Sequence, residues 1–306
     1  MKGMLKLQFK NNMFINWNPQ EKCVNAAQKY SAAENLIMVI KPTGINKIIN
    51  IAPPKFIKTE NGEIVNVLSG SYERRGAVGM AESDWLGPHY INWNWCGGTH
   101  GTYGGEGEPT GFSENAVIKL NGDIIDAEKE ISQYAESFEM TWDTYAGSIN
   151  KADAFLKERH LIRFDGVKWD VKTEIEFFKD LRWITYHGLQ CVYGIWNGTV
   201  TYNGSVTAPI DKNADGETYM TESGIRDCET ILLKKAGDCL EMYLDKSYGI
   251  GDRRYLKVDS GAFTATYNDA KNGKAYFSLV RGGNGIEIKA GETAALRGHY
   301  RFYSID

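Results

Sequence analysis

The chain has no block rich in Lys and Arg; 35 basic residues are scattered among 39 acidic ones, for a net charge of -4. The electrostatic footprint of a nucleic-acid-binding surface is therefore missing, and no nucleic-acid partner is expected. No run of about 18 apolar residues occurs, so no membrane insertion is expected. The five cysteines, Cys23, Cys96, Cys191, Cys228 and Cys239, are odd in number and contain no C-x-x-C pair. That spacing argues against a zinc cage. Free thiols are the simplest reading, with a Cys228–Cys239 hairpin bridge as the alternative. The opening MKGMLKLQFKNNMFINW lacks a continuous apolar stretch and does not read as a signal peptide. A cytoplasmic protein, a phage-associated one, or a secreted one whose signal was removed all fit. No repeat of roughly 20–50 residues marks a solenoid. No Pro/Ser-rich linker divides the 306 residues, so one domain over 1–306 is expected, least regular in its first 50 residues.

What the chain does have is glycine (33), tyrosine (17), phenylalanine (12) and tryptophan (8). Aromatic and β-branched residues suit a pleated, half-buried surface. Asn61-Gly62, Asn121-Gly122, Asp165-Gly166, Asn203-Gly204 and Asn272-Gly273 each separate two β-like runs. Such pairs favour tight hairpin turns because both central positions tolerate φ > 0. Trp169, Val171, Thr173, Ile175 and Phe177 alternate with Asp170, Lys172, Glu174 and Glu176, the period-2 pattern of a strand with one buried face. The run 36–40 (LIMVI) reads as a buried strand, and 47–52 as another that ends at Pro53-Pro54. Short helices are expected within 19–33 and 124–134. The fold class expected is all-β: a large antiparallel β-sandwich of two packed, twisted sheets with few short helices.

The densest chemistry lies between Ser71 and Glu114, which holds Arg74, Arg75, His89, His100, Trp85, Trp93, Trp95, Glu106 and Glu108. Its Gly-rich part, 97–111, reads as a long functional loop, since glycine allows close approach of backbone to ligand. Trp and Tyr grip sugars well, having an apolar body and a polar tip. His100, in Gly-Gly-Thr-His-Gly, is the first choice for acid/base work near neutral pH. His89 is its candidate partner or a turn residue. In WITYHGLQ, Tyr186 and His187 face opposite sides of a strand unless Gly188 marks a bulge. The spacing of His89, His100 and His187 carries only a weak metal signal. Asp211, Asn213, Asp215, Gly216 and Glu222 fit the calcium-loop pattern D-x-[DN]-x-[DN]-G-x₅-E. Calcium is thus the one metal the sequence suggests, without the flanking helices such loops have.

The hairpin-rich stretch 158–208 resembles, at fold level, sandwiches of the galactose-mutarotase-like type, which several polysaccharide lyases and sugar epimerases share. The Gly-Gly-Thr-His-Gly…Glu-Pro-Thr segment resembles bacterial and phage β proteins of no assigned activity. The resemblance covers about half of the chain and carries no catalytic residue with it. The function expected is action on a polysaccharide or oligosaccharide, foremost β-elimination of an acidic, uronate-containing glycan. Arg74, Arg75 or Gln190 would neutralise the uronate carboxylate, His100 would take the neighbouring proton, and Tyr103 or Tyr186 would protonate the leaving oxygen. Trp93 and Trp95 would supply the sugar platform, with His187 as a further candidate. One rival is hydrolysis by Glu106 and Glu108. Another is a carbohydrate-binding or phage-tail adhesion module without chemistry.

Overall fold

The computed structural model describes residues 13–59, 63–68, 84–193, 198–209, 228–249, 264–268 and 273–305. Among them the chain forms twenty strands and one 3-10 turn at Lys151–Asp153. The strands are β1 (Met13–Asn18), β2 (Cys23–Lys29), β3 (Glu34–Thr43), β4 (Ile48–Lys58), β5 (His89–Ile91), β6 (Asn94–Cys96), β7 (Gly111–Leu120), β8 (Asp123–Ile124), β9 (Ile131–Ala135) and β10 (Phe138–Ala146). There follow β11 (Leu156–Phe164), β12 (Trp169–Phe177), β13 (Leu181–Tyr193), β14 (Thr199–Tyr202), β15 (Val206–Pro209), β16 (Thr230–Lys235), β17 (Asp238–Leu244), β18 (Thr264–Asn268), β19 (Gly273–Ile288) and β20 (Thr293–Ser304). They build three antiparallel sheets, ordered β4-β3-β2-β1-β9, β15-β14-β16-β17-β20-β12-β11-β10-β7-β8 and β18-β19-β13-β5-β6. The protein is an all-β sandwich, and one apolar cluster joins residues from all three sheets, among them Ile15, Trp142, Trp169, Trp183 and Phe302.

The period-2 reading of 169–177 holds: Trp169, Val171, Thr173, Ile175 and Phe177 are buried while the charged residues between them reach solvent. The run 36–40 has no such alternation because β3 is buried on both faces. Leu36, Met38 and Ile40 enter the main core, whereas Ile37 and Val39 join a second cluster with Phe14, Cys23 and Val67. Asn121-Gly122 turns between β7 and β8 with both φ values positive (55° and 91°), as that dipeptide favours. At Asp165-Gly166 only glycine takes positive φ; the Asp165 carboxylate instead accepts the Val167 and Lys168 N–H groups. Asn61-Gly62 and Asn272 lie outside the described residues.

Neither expected helix forms. Residues 19–33 hold a turn and β2, whose Cys23, Val24, Ala26 and Ala27 are all buried between neighbours β1 and β3. Residues 131–135 form β9, paired with β1. Tertiary pairing overrides a weak helix preference in both segments. Residues 13–50 are therefore strands and turns of a regular sheet. Pro53 and Pro54 do not end the strand; β4 runs through them to Lys58, with a bulge in its pairing opposite Ile37/Val39. β4 is the edge of its sheet, where a missing N–H is tolerated.

Gly188 sits where β13 crosses the ten-stranded sheet, and a Cβ there would collide with the Leu296 side chain of β20. Gly188→Ala is expected to cost about 1–3 kcal/mol by overpacking, seen as a lower midpoint in urea unfolding. An unchanged midpoint would mean the two sheets are less closely packed there than described.

Candidate functional site

The site grows from the short hairpin β5–β6, which pairs with β13 through Ile91, Tyr90 and His89. Asn92 and Trp93 at its tip both have positive φ (48° and 67°). The segment leading into β5 is pinned by side chains from distant strands. The Asn50 amide donates to the Leu86 carbonyl (2.9 Å), and its oxygen accepts the N–H groups of Trp85 (3.2 Å) and Leu86 (3.1 Å). The Tyr300 hydroxyl accepts the Gln190 N–H and lies 2.9 Å from the Trp85 carbonyl. After β6 the chain enters the Gly-rich loop, anchored by buried Asn46 in the β3–β4 turn. Asn46 donates to the carbonyls of Gly98 (3.0 Å) and His100 (2.7 Å) and accepts the Thr110 N–H (2.6 Å). Thr110 Oγ1 also donates to the His100 carbonyl (2.6 Å). The loop is thus ordered by bonds that leave the His100 ring at the surface.

His100 Nδ1 lies 2.9 Å from Oδ2 of Asp84, with the imidazole 21% exposed and the carboxylate almost fully buried. The contact has the distance of a charge pair without the alignment of a hydrogen bond. Asp84 is itself held by the backbone N–H and the hydroxyl of Thr99. Gly98 is required beside it: its φ is +51°, and a Cβ would run into the Asp84 carboxylate. The His100 ring leans on Trp95 (centroids 5.0 Å), and Trp95 also meets Tyr90 (4.9 Å) and His187 (6.1 Å). His187 Nδ1 is 3.0 Å from the Ser278 hydroxyl, and its ring packs on Tyr276 at 4.3 Å. One half-buried indole therefore gathers two imidazoles that are 87 positions apart in the chain, His100 and His187.

Of the other residues singled out from the sequence, Trp93 (59% exposed) and Tyr103 (82% exposed) project at the surface. Glu106 and Glu108 are exposed on the tight bend 101–108, where Tyr103 N–H bonds to the Glu106 carbonyl and Thr102 N–H to that of Glu108. Gln190 is buried, its amide donating to the Gly87 carbonyl. Arg74 and Arg75 lie outside the described residues, as do Asp211, Asn213, Asp215 and Glu222. Among the described residues no group of three His, Cys, Asp or Glu side chains could hold a metal ion. None of the five cysteines forms a disulfide, all are buried, and burial pushes the Cys96 and Cys191 thiols up to about 12.

Tyr186 and His187 do face opposite sides. The β13–β19 register shifts between them, yet Tyr186 stays in the core. There it meets a cluster that residue patterns did not reveal, centred on Glu158 of β11. Glu158 Oε1 accepts from the Tyr186 hydroxyl (3.1 Å) and lies 3.1 Å from His89 Nε2, while Oε2 faces His160 Nε2 at 3.5 Å. Burial pushes the Glu158 carboxyl upward, but the imidazoles of His89 and His160 outweigh it and hold the group well below the ordinary carboxylate range. Burial and then the Glu158 charge push the Tyr186 phenol far above its usual range. Glu158, Asp84, Asn46 and Asn50 carry no local motif; the alternation of β11 (Leu156, Glu158, His160 and Ile162 inward) was the available signal for Glu158.

No family model matches the chain, and no curated protein matches it. Among solved structures it is similar to the galactosidase domain of an alpha-galactosidase-sucrose kinase, at 11% identity over 95% of this chain and 41% of that one, with a TM-score of 0.48. It is likewise similar to an alpha-galactosidase from Lactobacillus brevis, at 8% identity over 94% and 40% of the two chains, TM-score 0.48. A galactose 1-epimerase from Lactobacillus acidophilus NCFM is similar at 9% identity over 95% and 98%, TM-score 0.42. This last neighbour is of the galactose-mutarotase-like kind that the hairpin-rich stretch 158–208 resembles at fold level. The chain spans about two fifths of the length of the two alpha-galactosidase structures. With scores under 0.5, these likenesses carry no inference about activity.

Proposed function

We propose that the chain is a carbohydrate-active protein whose sugar docks against Trp95, with His100 as the proton-transferring group. The observation that carries this reading is the His100–Asp84 pair at 2.9 Å beside the half-buried Trp95 indole. A sugar ring presents C–H groups that suit the indole, and a fixed imidazole at its edge suits proton transfer near neutral pH. The Asp84 carboxylate sits at Nδ1, so Nε2 is the ring nitrogen we assign to substrate. The finer reaction we favour is β-elimination on an acidic glycan. His100 removes the proton next to the uronate carboxylate, the carbon–oxygen bond on the next carbon breaks, and a carbon–carbon double bond forms. We assign protonation of the departing oxygen to His187, whose ring lies 6.1 Å from that of Trp95; Tyr103 is the more exposed alternative. Arg74 and Arg75 remain the proposed partners of the carboxylate. A second reading, a binding module without chemistry, is favoured by the exposure of Trp93 and Tyr103, which would extend a stacking surface.

Incubation with a panel of uronate polysaccharides separates the two. Elimination makes unsaturated uronate ends, so ultraviolet absorbance is expected to climb with time on one member of the panel. Binding by calorimetry with no climb in absorbance favours the module. Neither binding nor cleavage of any glycan would overturn the carbohydrate reading.

A further inference from the structure

We infer that Glu158 is a positioning residue for the Trp95 surface: it locks, from inside the sandwich, the β5–β13 register that displays Trp95 and His187 outside. The inference rests on reading that surface as the functional site. Three observations build it.

First, His89 and Tyr186 are register partners on β5 and β13, and both reach the same oxygen, Oε1, of Glu158. Glu158 belongs to β11 of the ten-stranded sheet, so its carboxylate crosses the interior to hold two strands of the other sheet at one point. Second, the next residue along each strand is turned the other way. Tyr90 packs on Trp95, and His187 approaches Trp95 from β13. Because strand side chains alternate, a slip of one residue between β5 and β13 would exchange the two faces. It would carry His89 and Tyr186 away from Glu158 and scatter the aromatic surface. A buried polar group that fixes register is a recognised use of such clusters.

Third, the hydrogen-bond directions define the cluster. Trp183 Nε1–H donates to His89 Nδ1 at 3.2 Å. An indole can only donate, so Nδ1 of His89 is the acceptor, and Nε2 is the ring nitrogen turned toward Glu158. The other groups facing the carboxylate are His160 of β11, backed by Thr173 of β12 and stacked on Trp142 of β10, and Tyr186 of β13. Cys96 of β6 lies close enough to feel the Glu158 charge. Tyr186 donates to the Glu158 carboxylate, and the His89 and His160 rings lie within ion-pair distance of it.

Nuclear magnetic resonance of nitrogen-labelled histidine and tryptophan side chains tests this without a sugar. In Glu158→Gln and in Tyr186→Phe, the Trp95 indole and His187 ring signals are expected to shift. The His299 signal, from an imidazole paired with Glu241 on the far side of β20, is expected to stay. Tyr186→Phe removes one donor at nearly constant volume, so it serves where Glu158→Gln does not fold. Unmoved Trp95 and His187 signals in either folded variant overturn the inference. Shifted signals in a protein that binds no glycan would leave the positioning role standing and overturn the sugar reading alone.

Discussion

His100→Ala is expected to lose roughly 10²–10⁴-fold in turnover, the usual worth of proton transfer by a placed side chain. The fold and the glycan affinity are expected to survive. The His100 ring is at the surface, and the loop is held by its backbone carbonyl, which Asn46 and Thr110 bind whatever side chain position 100 bears. Affinity rests on Trp95, which remains in place. His299→Ala is the control, since that imidazole pairs with Glu241 and touches nothing in the site. The measurement is initial rate against substrate concentration, with circular dichroism for the fold. Full turnover in His100→Ala would remove the residue from the chemistry, and a large loss of affinity with unchanged rate would make it a binding group.

Glu158→Ala is expected to have the largest effect on stability of any single change considered. Removing one member of a buried, hydrogen-bonded charge cluster costs about 3–5 kcal/mol, because its partners stay buried and unpaired. Here those partners are His89, His160 and Tyr186. The effect depends on pH with a definite sign. The Glu158 carboxyl is held below its ordinary value, so its contribution is complete above the unfolded-state value of about 4.3 and is lost as pH falls further. Urea unfolding of the native protein should therefore weaken below about pH 4, and part of that acid loss should vanish in Glu158→Gln. A Glu158→Ala protein as stable as the native one at neutral pH would mean that the cluster is solvated and not the buried clamp described.

The β architecture was legible because it is written in short-range patterns. The alternation of 169–177 and the Asn121-Gly122 turn each state a local preference that the sheets satisfy. Reading failed where pairing is long-range. β2 has neither alternation nor a turn signal of its own, and only its place between β1 and β3 makes it a strand. β4 tolerates Pro53 and Pro54 because it lies at a sheet edge, a property of topology.

The site divides in the same way. His100, Trp95 and His187 were visible as residue types in unusual settings: an imidazole among glycines, an aromatic hairpin, a histidine beside a strand glycine. That Trp95 joins the two imidazoles was not visible, nor was Asp84 behind His100. Gln190 looked like a carboxylate partner but is spent on the Gly87 carbonyl inside the protein. The sequence by itself determined the secondary-structure class and the sparing use of helix. Alternation, turn dipeptides and side-chain chemistry act between near neighbours, so a linear reading captures them. The tertiary structure alone decided which histidine faces solvent and which is buried against Glu158. That choice depends on register between strands about 100 residues apart, and a shift of one residue reverses it.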